Sequence, residues 1–197
     1  MSLTPHLVIF TRLPRLGTGK RRLAADIGPV MALTFQRATL ALTIKRLGRD
    51  PRWRTWLAVT PRGGGPWPAD LPRIIQPAGD LGRRMAHIAK ALPPGPVLIV
   101  GSDVPDIRPF HIADAFRALG DRDAVLGPAE DGGYWLVGLK RRPRFVDPFD
   151  GVRWSTPDAL ADTLANLARH RTATVDTLAD IDDGASLMRH RQRTRSR

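Results

Sequence analysis

Short, near-continuous apolar runs, each closed by a turn and followed by a segment with helical spacing, recur along this chain and restrict its fold more than any other feature. "HLVIFT" (6–11), "TWLAVT" (55–60) and "PVLIVG" (96–101) have the pattern of strands covered on both faces, and the first of them is expected at the centre of the sheet. Between them, "KRRLAADIG" predicts a helix interrupted at Gly28-Pro29. "VMALTFQRATLALTIKRLG" repeats apolar residues at helical spacing until Gly48, and "DLGRRMAHIAKAL" starts a helix with Asp80 as its N-cap. "RIIQ", "DAVLG", "GYWLVGL" and "TATV" predict further strands, and "PFHIADAFRAL" and "TPDALADTLANLA" further helices. Strands alternating with helices predict a doubly wound α/β domain with a mostly parallel sheet.

At 197 residues, 42% of them hydrophobic, the chain suits one domain with a substantial core. It contains no cysteine, which excludes disulfides, thiolate catalysis and cysteine zinc sites. The apolar runs are far shorter than the roughly 20 residues a membrane helix needs. The start "MSLTPHLVIF" lacks the charged region of a signal peptide, so a soluble, cytoplasmic protein is expected. The formal charge of +12 invites a nucleic-acid reading, yet five arginines, at 189, 191, 193, 195 and 197, belong to the closing "MRHRQRTRSR". The expected division is a domain over residues 1–187 followed by a basic, solvated and mobile tail over 188–197.

The segment "RLPRLGTGKRRL" (12–23) behind the first strand has the look of a phosphate loop. Tested against the P-loop pattern, Pro14 replaces the first glycine and Arg21 the hydroxyl that would hold Mg²⁺. Against the dinucleotide fingerprint, Gly17 and Gly19 fit but Arg22 occupies the third glycine position. A glycine turn with Arg12, Arg15, Lys20 and Arg22 remains, which suits an anionic ligand. Cations in the first turn of a helix oppose its dipole, so bound phosphate at Lys20 and Arg22 would reverse an unfavourable placement. Replacing either should therefore leave stability unchanged or slightly raised while weakening nucleotide diphosphate far more than nucleoside; two solvated surface cations are the competing reading.

Three acidic clusters fall after strands, where α/β sheets bind ligands. In "VLIVGSDVPDI", Ser102 and Asp103 leave a buried strand, and Asp103 can hold Mg²⁺ or Mn²⁺ and bridge it to phosphate. Capping of the turn or of the next helix is the competing role, with Asp106 the better capping candidate. In "GPAEDGGYWLVGL", Glu130 and Asp131 precede Gly132 and Gly133, which allow a ligand to approach closely, and Tyr134 or Trp135 can stack on a ring. "LADIDDGASL" places Asp180, Asp182 and Asp183 after the last strand, where one can complete a metal site and another cap a helix. The histidines, at 6, 87, 111, 170 and 190, show no metal-ligand spacing, and no Gly-x-Ser-x-Gly elbow occurs.

In that order, "FTRLPRLGTGKRRLA", "QPAGDLGRRM", "VGSDVPDI", "LGPAEDGGYWLVGL", "GVRWST" and "LADIDDGASL" resemble a bacterial group of nucleotide-diphospho-sugar transferases of GT-A fold. That group is variously labelled radical-SAM/selenodomain-associated transferase and arsenosugar-biosynthesis glycosyltransferase. More distantly, the chain is similar to 2-phospholactate and molybdenum-cofactor guanylyltransferases. The resemblance implies a single Rossmann-like GT-A domain with a mixed, mostly parallel sheet and helices on both faces. It places the nucleotide over the first strands, with Arg12, Lys20, Arg22, Gly79, Asp80 and Ser102 around its phosphates and nucleoside. Asp103 becomes the metal acid and Asp182 a second ligand for Mg²⁺ or Mn²⁺, while Asp103, Glu130 and Asp131 supply the catalytic carboxylates. Gly132, Gly133, Tyr134 and Trp154 line the acceptor or sugar side. Three departures stand out: Arg21 where Thr is usual, Arg83 or Arg84 where an acid is common, and "DIDDG" in place of Asp-x-Asp-Thr-Pro. The implied activity is transfer from a nucleotide sugar to a small-molecule acceptor, with nucleotidyl transfer from a nucleoside triphosphate as the alternative. A nucleic-acid-binding module on a degenerate transferase core is a third reading, one that has no need of Asp103 or of Glu130 and Asp131.

Overall fold

The computed structural model describes residues 3–195. In chain order the elements are β1 (His6–Arg12), α1 (Arg21–Ile27), α2 (Pro29–Leu47), β2 (Arg54–Thr60), β3 (Arg73–Ile75), α3 (Leu81–Ala91) and β4 (Val97–Gly101). They continue with α4 (Pro109–Ala118), β5 (Ala124–Pro128), β6 (Tyr134–Leu139), α5 (Ala159–Asn166), β7 (Thr172–Thr174) and α6 (Gly184–Arg195). The strands form one seven-stranded sheet in the order β3-β2-β1-β4-β6-β5-β7. Its centre is therefore β4, and β1, expected there, is displaced by one position. The chain nonetheless buries β1 on both sides, between β2 and β4, in parallel register with each.

All pairings are parallel except those of β6, which runs antiparallel to β4 and to β5. The reversal has a local cause. β5 and β6 are joined by the short "AED" turn region, too brief for the crossover that a parallel pair requires. Consequently the start of β6 lies at the same sheet edge as the ends of β1, β4 and β5. Gly138 in β6 lies between Leu98 and Val125, where an added Cβ would fall 2.3 and 2.4 Å from their side chains, so only glycine allows this close packing.

Side chains alternate along the strands into two cores, as the strand period of two dictates. Leu7, Ile9, Leu57, Val59, Leu98 and Val100 pack with Leu40, Ile44 and Leu47 of α2 and Ile112 and Ala115 of α4. Val8, Ala58, Val97 and Ile99 pack with Met85, Ile88 and Ala89 of α3 on the opposite face. Helices thus cover both faces of a single α/β domain.

The helix ends follow their sequence signals in part. Asp80 caps α3, accepting from Arg83 N at 2.7 Å, a contact worth about 1 kcal/mol. Asp106 does not cap α4: the N-cap there is Arg108, whose N–H donates to His111 Nδ1 at 3.1 Å. Asp183 caps α6, accepting from Ser186 N at 2.7 Å. The proposed boundary at residue 187 falls inside α6. Buried Leu187 joins Leu23, Ala32 and Ile181 in a third small core, and residues 188–195 continue the helix. Beyond Leu187, His190 faces Asp106 at 3.3 Å and Arg193 faces Glu130 at 3.3 Å. Residues 196 and 197 of the tail lie outside the described residues. Among the described residues, no helix is long and apolar enough to cross a membrane.

Candidate functional site

A cavity of about 650 Å³ opens at the carboxyl edge of the sheet, a size that suits a small-molecule ligand. Three chain segments bring its acids together. β4 ends at Gly101, so Ser102 and Asp103 emerge at the cavity, where Ser102 Oγ donates to Thr11 Oγ1 of β1 at 3.1 Å. The turn between β5 and β6 contributes Asp131. The segment after β7 runs beside β5, through a parallel bridge between Ala129 and Leu178, and is then pinned by fully buried Ile181, whose N–H donates to Asp103 O at 3.3 Å. With Ile181 turned inward, its neighbours Asp180 and Asp182 both line the cavity.

Carboxylate oxygens of Asp103, Asp180 and Asp182 lie within 4.8 Å of one another. Lys20 Nζ donates to Asp103 Oδ2 at 2.8 Å and to Asp182 Oδ1, and Arg22 Nη2 donates to Asp182 Oδ2 at 2.7 Å. The Lys20 side chain is only 9% exposed. Burial opposes its charge, but Asp103 and Asp182 together outweigh that cost and hold its pKa above the ordinary value. Asp182 is likewise disfavoured by burial and then held below the usual carboxylate range by Lys20 and Arg22. Asp180 is different. Burial, followed by the charges of Asp131, Asp182 and Asp103, pushes it up to about 6, with Lys20 only partly offsetting them. Three convergent carboxylates, one of them raised by burial and then by its neighbours, form an oxygen donor set suited to a hard divalent cation, and Lys20 shares two of the three.

The other predicted site residues separate into two groups. Arg12, Ser102, Asp131, Gly133, Tyr134 and Trp154 line the cavity. Asp131 Oδ1 also accepts from Gly133 N at 2.9 Å, which shapes the turn. Tyr134 stands edge-on to Trp154 at 6.2 Å, and burial pushes its phenol pKa up. Gly79, Asp80, Glu130 and Gly132 lie outside the lining. Asp80 is engaged as the α3 cap, and Glu130 faces Arg193 of α6. Gly132 has φ +87, and a Cβ there would fall 2.3 Å from Pro157 O, so this glycine serves the turn's packing against the 151–158 loop.

Of the cavity residues that escaped the sequence reading as site residues, three shape its charge most. Asp180 was visible as one of three acids, and its spacing of two from Asp182 is the signal that an extended segment turns both to one side. Gln76 and Arg84 carry no such signal. Gln76 is buried and donates through its amide to Thr11 O at 2.9 Å and Ala58 O at 2.7 Å, and its Oε1 accepts from Arg84 Nη1 at 2.9 Å. That placement depends on the chain path from β3 into α3.

The fold and its acidic cavity define an α/β protein of the nucleotide-diphospho-sugar transferase architecture. Residues 30–156 match the family described as "Uncharacterized protein conserved in bacteria (DUF2064)", and the chain belongs to that family. Among solved structures, a candidate nucleotide-diphospho-sugar transferase from Desulfovibrio desulfuricans G20 is 27% identical, with a TM-score of 0.81 over 93% of this chain and 84% of that one. The 4-diphosphocytidyl-2C-methyl-D-erythritol synthase of Anaerococcus prevotii DSM 20548 shares the fold at 10% identity, with a TM-score of 0.61 and 98% of each chain covered. Rv0371c of Mycobacterium tuberculosis H37Rv, in a complex with manganese, shares it at 17% identity, with a TM-score of 0.56 over 96% of this chain and 98% of that one. No curated protein matches the sequence.

Proposed function

We propose that this protein is a metal-dependent transferase that takes a nucleotide-diphospho-sugar as donor and passes the sugar to a small-molecule acceptor. The observation that carries the reading is the convergence of Asp103, Asp180 and Asp182 with Lys20 and Arg22 at one cavity on the carboxyl edge of the sheet. The 27% identical neighbour, a candidate nucleotide-diphospho-sugar transferase, supports the donor class.

Asp103, Asp180 and Asp182 would hold Mg²⁺ or Mn²⁺. When bound, such an ion offsets the negative charge that builds on a leaving diphosphate. With the carboxylates engaged by the ion, the Lys20 ammonium and the Arg22 guanidinium would be available to the donor's phosphates. Asp131, at the cavity and free of any ion pair among the described residues, accepts the acceptor's hydroxyl proton as the oxygen bonds to the sugar's anomeric carbon. The bond from that carbon to the diphosphate breaks, and nucleoside diphosphate leaves with the electron pair. Tyr134 and Trp154 offer flat apolar surface beside the acids for the sugar.

The test is a screen of nucleotide sugars and nucleoside triphosphates for Mn²⁺-dependent thermal stabilisation, because a ligand bound only by the native state raises the melting temperature. Stabilisation by a nucleotide sugar, followed by acceptor-dependent release of nucleoside diphosphate, is expected. Stabilisation by triphosphates alone, with pyrophosphate as product, would replace glycosyl by nucleotidyl transfer. Absence of any metal-dependent nucleotide binding would end both.

A further inference from the structure

Arg12 and Arg84 line the same cavity as the acids, yet neither makes an ion pair with a carboxylate among the described residues. Across the sheet edge they lie to the β1 and β2 side, whereas Asp103, Asp180 and Asp182 follow β4 and β7. The Arg84 guanidinium is rigidly presented. Its Nε donates to Asp80 O at 3.2 Å, its Nη1 donates to Gln76 Oε1 at 2.9 Å, and its Cζ lies 5.9 Å from the centre of the Phe10 ring. Both amide hydrogens of Gln76 are taken by the carbonyls of Thr11 and Ala58, so Gln76 can present only its oxygen to Arg84. Gln76 is thus a positioning residue, and the remaining N–H groups of Arg84 are left for a ligand.

The two guanidinium groups repel each other, and no ion pair among the described residues closes either of them. Arg84 registers this, since burial and then the charge of Arg12 hold its pKa below the ordinary arginine value, with the nearby charge of Asp80 offsetting them only in part. A folded protein tolerates such an arrangement more readily where a bound anion relieves it, and a fixed guanidinium fork is suited to phosphate or carboxylate oxygens.

We propose that Arg12 and Arg84 form a second anion subsite, separate from the acid cluster, which takes a phosphate or carboxylate group of a substrate. Its assignment to the acceptor rests on the transferase reading above, in which Lys20 and Arg22 serve the donor's diphosphate and leave this subsite to an anionic acceptor; the donor's own phosphates, beside which the resemblance places Arg12, are the other source, and the test below separates the two. The subsite as such does not depend on that reading.

The test is isothermal titration of the full chain with inorganic phosphate in EDTA. Wild type should bind, Arg84→Gln and Arg12→Gln should each weaken binding about tenfold, and Asp103→Asn should not weaken it. The Arg12 side chain makes no hydrogen bond among the described residues, so its variant reports on binding even if Arg84→Gln perturbs α3. Absent binding in wild type, or unchanged affinity in both arginine variants, overturns the subsite. Loss of binding in Asp103→Asn with both arginine variants intact overturns it as well. A repeat with Mn²⁺ and saturating nucleoside diphosphate separates the two sources of the anion. Unchanged phosphate affinity assigns the subsite to the acceptor, whereas competition assigns it to the donor's own phosphates. Failure of the wild type to bind Mn²⁺ would refute the transferase reading and leave the phosphate result standing.

Discussion

Lys20 Nζ lies 2.8 Å from Asp103 Oδ2, joining the loop after β1 to the end of β4 across 83 residues of sequence. The same ammonium also bonds Asp182, so one buried cation holds together two of the three acids that could hold a metal. Replacing Lys20 by Met should therefore destabilise the metal-free protein by about 1–3 kcal/mol. That is below the usual penalty for breaking a buried ion pair, because Asp103 and Asp182 are partly exposed. Mn²⁺ should bind the variant more tightly than wild type and restore its melting temperature, while nucleoside diphosphate binds more weakly. Calorimetry with and without Mn²⁺ checks this, and an unchanged melting temperature would show that Lys20 carries no structural charge.

Asp180 should behave in the opposite sense. It carries the repulsion of Asp131, Asp182 and Asp103, with only partial relief from Lys20. Asp180→Asn keeps the shape and removes one of the mutually repelling charges, so the metal-free protein should melt higher at neutral pH while Mn²⁺ affinity falls at least tenfold. Asp103→Asn should also lose Mn²⁺, but without the gain in stability, since it gives up the Lys20 pair. A loss of stability in Asp180→Asn would place that carboxylate in an unrecognised structural contact.

On the far side of the 151–158 loop, Asp162 accepts from Arg153 Nε at 2.9 Å and from Arg153 N at 3.0 Å. These bonds lower its pKa to about 2 from 3.8, the side-chain bond being the larger cause. A depressed carboxylate stabilises the fold fully above its unfolded pKa, and that contribution disappears as pH falls from about 4 through about 2. An NMR titration should find Asp162 half-protonated near pH 2, and Arg153→Gln should return it towards 4. A wild-type midpoint near 4 would disprove the pairing.

Truncation after Met188 removes the helical turns that carry His190 and Arg193 but spares buried Leu187. Exposed pairs such as Arg193 with Glu130 are worth at most about 1 kcal/mol, so the melting temperature should fall by only a few degrees. Any affinity of the full chain for nucleic acid should fall in the truncated form, and before the cut it should decline steeply with salt. A drop of more than about 10 °C would show that the end of α6 is integral to the domain.

The α/β class, nearly every strand and helix, and the acids after β4 and β7 were legible in the sequence, because hydrophobic periodicity and caps such as Asp80 are set by near neighbours along the chain. The tertiary structure decided what distant segments do to one another. It made Lys20 a buried partner of Asp103 and Asp182 where local dipole logic suggested a phosphate-binding cation replaceable without loss of stability, and it turned Asp106 from an expected helix cap towards His190. It chose Asp180, through the inward turn of Ile181, as the least compensated acid of the three. It also fixed Arg84 on Gln76, a placement that follows from the chain's path from β3 into α3 and leaves no trace in residue spacing. Electrostatic partnership depends on through-space distance and burial, and those quantities exist only once the sheet has brought its strand ends to one edge.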